Sequence, residues 1–202
     1  MNPGPDPADM RDSPRKDPRL PPGQIVTDKW PVLHYGSVPS VDLSGWDFKV
    51  HGLVERPLKW TWEEFEKLPR VQVRSDIHCV TRWSRYDNSW QGVSIREVLR
   101  RAGVKPEARF AVIRAEHDFA TNLPLTELDQ DDVLLADKHD GVALTPEHGW
   151  PLRLVVPRRY FWKSAKWIRS IELARDDRPG FWEQNGYHNE ADPWKEERFS
   201  DW

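Results

Sequence analysis

The stretch Asp76-Ile77-His78-Cys79-Val80-Thr81-Arg82-Trp83-Ser84 holds the single cysteine of the chain and decides how the rest is read. Ahead of it, Val71, Val73, Ile77 and Cys79 fall on one alternating face and Gln72, Arg74, Asp76 and His78 on the other. A period of two is that of a half-buried strand, so the thiol is expected where strand passes into loop. Three readings of Cys79 stand open here: a small buried hydrophobe, a nucleophile, or a metal ligand.

Composition narrows the classes. A length of 202 residues suffices for one large domain with an adequate core. One cysteine builds neither an intramolecular disulfide nor a Cys-rich zinc or iron–sulfur site. With 33 acidic and 30 basic residues the net charge is -3, so no nucleic-acid partner is expected. No apolar run is long enough for a membrane span. The opening residues Met1-Asn2-Pro3-Gly4-Pro5-Asp6-Pro7 show neither an apolar secretory core nor twin arginines, which leads to the expectation of a cytoplasmic protein. Twelve tryptophans are many for this length. They read as core and loop anchors, with a carbohydrate platform as the rival.

Along the chain, residues 1–24 are rich in Pro and charge and are expected to form a disordered or draped tail. Residues 25–175 are expected to form one domain, and 176–202 a C-terminal strap anchored by Phe181, Trp182, Tyr187, Trp194 and Trp202. Residues 30–39 read as extended, because each proline pushes its predecessor out of the helical region. Trp46, Phe48 and Val50 alternate with charged neighbours in a strand ending near Gly52. Thr61 and Glu64 form a capping box for a short helix through Leu68. A polar loop follows the strand to Cys79. Ser94 and Glu97 then suggest a second capping box, for a helix with Ile95, Val98, Leu99 and Ala102 inward and Gly103 at its end. Further strands are expected over 110–115, 133–136, 152–156 and 167–173, with a helical turn over 124–128. The fold class is α+β, with mixed, mostly β sheets, few short helices and no βαβ rhythm.

Two features carry chemistry. Seven histidines, at 34, 51, 78, 117, 139, 148 and 188, could each serve a Cys-His hydrolase, although His78 faces away from Cys79. Between Arg153 and Arg169 lie six basic residues in 17 positions and no acidic one. On an acidic chain this reads either as a local anion pocket or as a solvated face of paired strands.

The two features belong to one ordered set. His78-Cys79-Val80-Thr81-Arg82-Trp83-Ser84 is followed by Trp90-Gln91-Gly92-Val93, Arg101-Ala102-Gly103-Val104 and Asn122-Leu123-Pro124-Leu125. His148-Gly149-Trp150-Pro151-Leu152-Arg153-Leu154-Val155-Val156-Pro157 and Lys163-Ser164-Ala165-Lys166-Trp167 complete it. Over about residues 30–173 the chain resembles the molybdopterin-binding domain of the sulfite oxidase family, especially its short single-domain bacterial members.

The resemblance implies a mononuclear molybdenum oxidoreductase of the sulfite oxidase fold, with molybdenum and molybdopterin as cofactors. Cys79 would be the only protein ligand to the metal and the catalytic centre, a soft thiolate beside the dithiolene sulfurs of the pterin. By the same match His34, Tyr35, His148, Arg153, Ser164, Ala165 and Lys166 would hold the pterin and its phosphate. The implied reaction is oxygen-atom or coupled proton and electron transfer on a small molecule, such as an S- or N-oxide. Sulfite fits less well, because Leu33 and Phe119 stand where the animal and plant sulfite oxidases carry an arginine and a tyrosine. A monomer with a separate electron-transfer partner is expected, since no haem or dimerisation domain is recognised. The alternative is a non-catalytic binding module using a Trp-lined groove for a glycan or a protein.

Overall fold

The computed structural model describes residues 17–200. Expectations for residues 1–16 and for Trp202 fall outside the described residues. Two mixed sheets carry the fold, joined by short helices, as the sequence leads one to expect.

The first sheet contains β1 (Ile25–Val26), and the second opens with β2 (Asp47–Gly52) and β3 (Leu58–Thr61). Helix α1 (Trp62–Glu66) starts at the predicted capping box: Thr61 Oγ1 accepts from the Glu64 N–H, and Glu64 accepts from the Thr61 N–H. β4 (Val71–His78) and β5 (Trp83–Ser94) form the hairpin that carries Cys79 at its tip. The polar loop expected after Cys79 is instead strand. Charged side chains there, such as Arg85 and Asp87, point to solvent or to ion pairs while the backbone is paired, Arg85 with Ile77 and Ser89 with Arg74.

α2 (Ile95–Ala102) buries the predicted stripe and ends at Gly103, with φ of 68°. The second capping box does not form. Ser94 remains in the strand, paired with Leu134, and the Glu97 carboxylate accepts from Arg100 and Arg101. β6 (Phe110–Ala115), β7 (Ala120–Pro124), α3 (Leu125–Leu128), β8 (Leu134–His139), β9 (Val142–Ala143), β10 (Arg153–Val155), β11 (Ile168–Ala174) and α4 (Phe181–Gln184) follow.

The first sheet runs β1-β5-β8-β10, with β4 on the other edge of β5 and β9 beside β8; the second runs β3-β2-β11-β6-β7. β1 with β5 and β2 with β11 are parallel, and every other pair is antiparallel. Between the sheets lies the main core, with Phe48, Val50 and Ile171 from one side, Val93, Leu135 and Leu154 from the other, and α2 packed in. The outer face of the first sheet is buried too, under Trp30, Trp150 and Phe161, in a cluster of Ile77, Cys79, Trp90, Leu134, Ala136 and Val155. A strand covered on both faces reads as a continuous apolar run. That is why residues 152–156 look uniformly apolar apart from one arginine, and why alternation sends Arg153 to the Cys79 side and Leu154 to the core.

At Gly92 the β5–β8 register shifts, and a Cβ there would stand 1.9 Å from the Leu135 carbonyl oxygen, so this crossing admits only glycine. Of the eleven described tryptophans, ten are buried or half-buried and Trp194 is exposed, which matches their reading as anchors. Among the described residues no helix is long and apolar enough to cross a membrane.

Candidate active site

Cys79 opens the four-residue connection between β4 and β5. Its carbonyl oxygen accepts from the Arg82 N–H at 3.0 Å and from Gln24 Nε2 at 3.0 Å, while its own N–H donates to the Trp83 carbonyl at 2.9 Å. Arg82 turns the chain with φ of 72°. The tip is held from outside by Arg198, which donates to the Val80 carbonyl at 2.6 Å. Residues 17–24 therefore pack against the hairpin, with Arg19 hydrogen-bonded to Asp76 at 2.8 Å and Gln24 buried beneath Cys79.

Cys79 is 8% exposed, and its sulfur lies 3.1 Å from Thr81 Oγ1. Burial pushes the thiol pKa up, against the opposing pull of the Thr81 hydrogen bond. His78, expected on the open polar face, is buried: its Nδ1 shares a hydrogen bond with Ser84 Oγ at 2.8 Å, and Trp194 packs edge-on at 5.1 Å. That burial lowers its pKa to about 4. Among the described residues no histidine hydrogen-bonds Cys79, so the Cys-His hydrolase reading finds no base in place.

Cys79 opens into a cavity of about 260 Å³. His34, Tyr35, Arg153, Ser164, Ala165 and Lys166 share its wall, brought from three separate stretches of chain. His148 stands one layer behind. Its ring stacks on Trp30 at 3.9 Å and its carbonyl accepts from Arg153 Nη1 at 2.8 Å. Ser164 presents its backbone: its carbonyl accepts from Arg153 Nη2 at 2.9 Å, while its hydroxyl accepts from the Val156 N–H. Tyr35 sits at the rim, 57% exposed, with its ring 4.4 Å from Phe181. Leu33 and Phe119 also line the cavity. At Gly149, with φ of 111°, a Cβ would stand 3.1 Å from Arg153 Cβ and 3.2 Å from Lys166 Cβ, so glycine allows these two residues to converge.

The basic run divides in space. Arg158 pairs with Asp132 at 2.8 Å, Arg159 with Glu127 at 3.0 Å, Lys163 with Glu183 at 2.7 Å and Arg169 with Glu116 at 2.8 Å. Arg153 and Lys166 have no carboxylate partner among the described residues. Arg153 is 1% exposed, held by carbonyl oxygens and set 4.3 Å over the Phe161 ring, and burial lowers its pKa to about 9. Lys166 donates to the Glu147 carbonyl at 2.6 Å, and burial, then the Arg153 charge, lowers its pKa to about 7. A buried cation without a counterion is costly, and the missing partner that offsets it is an anion. The cavity thus offers one soft sulfur donor, one buried cation and one half-buried cation, a donor set that fits a thiophilic metal carried by a phosphorylated organic ligand.

Beyond Tyr35 and Phe119, sequence reasoning assigned no aromatic residue to the cavity wall. Trp30 stacks over His148 and lies 5.5 Å from the Arg153 guanidinium, and Trp182 and Tyr187 of the C-terminal segment close the far side. The tryptophan count was the available signal, but composition carries no direction.

Comparison with known proteins agrees with this arrangement. The family model described as the oxidoreductase molybdopterin binding domain matches residues 35–182. The chain is 50% identical over 183 residues to the uncharacterized oxidoreductase YuiH of Bacillus subtilis, covering 90% of this chain and 92% of that protein. It is 28% identical over 170 residues to the putative protein-methionine-sulfoxide reductase subunit YedZ1 of Azospira oryzae, covering 83% of this chain and 64% of that one. The sulfane dehydrogenase SoxCD of Paracoccus pantotrophus shares the fold with a TM-score of 0.64 at 25% identity, over 71% of this chain and 41% of that one. With its two mixed sheets and a cavity that joins a lone thiol to two unpaired cations, the chain belongs to the oxidoreductase molybdopterin-binding domain family and is a molybdopterin-dependent molybdenum enzyme.

Proposed function

We propose that Cys79 is the protein ligand to molybdenum and that His34, Tyr35, His148, Arg153, Ser164, Ala165 and Lys166 hold the pterin and its phosphate. The observation that carries this reading is the buried Arg153 guanidinium, which faces the Cys79 cavity with carbonyl oxygens and aromatic rings around it and, among the described residues, no carboxylate. Arg153 and Lys166 grip the phosphate by charge-assisted hydrogen bonds. His148 acts through its carbonyl and its stack on Trp30, and Ser164 through its carbonyl, by keeping the guanidinium in place.

When bound, the group supplies a two-electron redox centre able to exchange an oxygen atom with a small molecule. The substrate is an S- or N-oxide, which leaves as the reduced compound and water after taking two electrons and two protons. Leu33 and Phe119 on the cavity wall give no charge and no hydroxyl to an anion, which supports an uncharged oxide over sulfite. A glycan-binding module gives the Arg153 and Lys166 cations no role. A separate electron-transfer protein, a monomeric state and a cytoplasmic location complete the reading; sedimentation and cell fractionation check the last two.

The test is elemental analysis of protein made in a host that synthesises the cofactor, with mass spectrometry of the released pterin. About one molybdenum per chain is expected, falling below a tenth in Cys79→Ser. Metal-free protein from such a host refutes the assignment.

A further inference from the structure

The matched family region ends at residue 182, yet a side chain beyond it, Tyr187, stands on the same cavity wall as Cys79. Its ring is clamped on three sides. Trp162 lies edge-on at 5.0 Å, Trp182 tilted at 4.8 Å and Phe199 edge-on at 5.3 Å. Its N–H donates to the Trp182 carbonyl at 3.0 Å, and a bridge pairs it with Phe199. The clamp is anchored in turn, because Trp162 Nε1 donates to Glu183 Oε1 at 3.0 Å and the buried Lys163 ammonium pairs with the same oxygen at 2.7 Å.

The hydroxyl of this fixed ring has no hydrogen-bond partner among the described residues, whereas Tyr86, for example, donates to Asp17 at 3.0 Å. Burial and the neighbouring Cys79 charge raise the phenol pKa, which keeps it a neutral donor. The nearby wall is apolar, formed by Phe119, Trp162 and Trp182.

We propose that the Tyr187 hydroxyl donates a hydrogen bond to the oxygen atom of the substrate and so selects an oxide over its reduced product. This rests on the oxide-reducing function proposed above. A donor held rigid in an apolar wall stays unpaired when the ligand lacks an acceptor, and such unpaired groups discriminate strongly between ligands that differ by one polar atom. The rings beside it accept the apolar substituents of the oxide.

The experiment compares molybdenum-loaded wild type with Tyr187→Phe, which deletes a hydroxyl without a hydrogen-bond partner among the described residues. Dissociation constants for dimethyl sulfoxide and dimethyl sulfide are read from tryptophan fluorescence, beside kcat/KM for the sulfoxide with a reduced viologen dye. In the variant, sulfoxide affinity and kcat/KM are expected to fall about tenfold, the loss of one hydrogen bond, with sulfide affinity and molybdenum content unchanged. An unchanged ratio of sulfoxide to sulfide affinity in a fully loaded variant overturns the role of Tyr187. So does a loaded wild type that binds the two equally. Wild type without molybdenum, by contrast, overturns the function on which the inference rests.

Discussion

Replacing Arg153 by methionine separates a cofactor-holding cation from a structural one, because the two roles predict opposite signs in the cofactor-free protein. The lowering of the Arg153 pKa from its ordinary 12.5 to about 9 corresponds to about 5 kcal/mol of charge-burial cost. Methionine removes that cost and keeps most of the apolar stem. It also strands the His148 and Ser164 carbonyls, at about 1–3 kcal/mol each. The balance lies between a loss of about 1 kcal/mol and a gain of about 3 kcal/mol, the gain being up to about 10 °C in Tm for a domain of this size. Urea unfolding of cofactor-free Arg153→Met and wild type measures it. In the loaded proteins the sign reverses, and molybdenum content should fall at least tenfold on elemental analysis. A cofactor-free variant less stable by more than about 2 kcal/mol that still retains full molybdenum would show that Arg153 is structural, and would remove the main support for the phosphate site.

Lys163→Met provides the contrast: it leaves the Glu183 carboxylate buried and unpaired, so a loss of about 3–5 kcal/mol is expected in urea unfolding with or without cofactor. Lys166 gives a pH signature. Its folded pKa of about 7 lies below the unfolded 10.5, so the unfolded chain binds more protons between those values and stability relative to Lys166→Met should rise with pH from about 7 to 10.5. A flat difference across that window in urea midpoints would contradict the burial of its charge. Cys79, buried with a raised pKa, should react with iodoacetamide at pH 7.5 at least tenfold more slowly than a free thiol in the cofactor-free protein. Bound molybdenum should abolish the residual reaction.

Much of the fold was legible because local signals agreed with tertiary needs. The alternation at 46–52, the Thr61–Glu64 box and the Ile95–Ala102 stripe each specify an element by short-range chemistry, and each is present. Misreadings arose where long-range partners override local pattern. Ser94 does hold the N-cap position of α2, but it stays paired with Leu134 and makes no side-chain cap, while Arg100 and Arg101 take its expected partner Glu97. Residues 83–89 look like a polar loop because their polar side chains find partners elsewhere, Ser84 with His78 and Arg85 with Asp140, while the backbone pairs in the hairpin. His78 looks exposed by alternation because the covering Trp194 comes from 116 residues later.

The sequence by itself determined that one thiol sits at a strand end and that a dense basic run lies downstream, and the order of its motifs pointed to the family. It could not determine which cations stay free. That depended on Glu127, Asp132, Glu183 and Glu116, which neutralise four of the six basic residues from 20 to 53 positions away. It depended equally on the alternation of β10, which turns Arg153 toward Cys79 and away from the core. Charge pairing and face selection are set by distance in space, and spacing along the chain does not encode that distance once the sheets have folded.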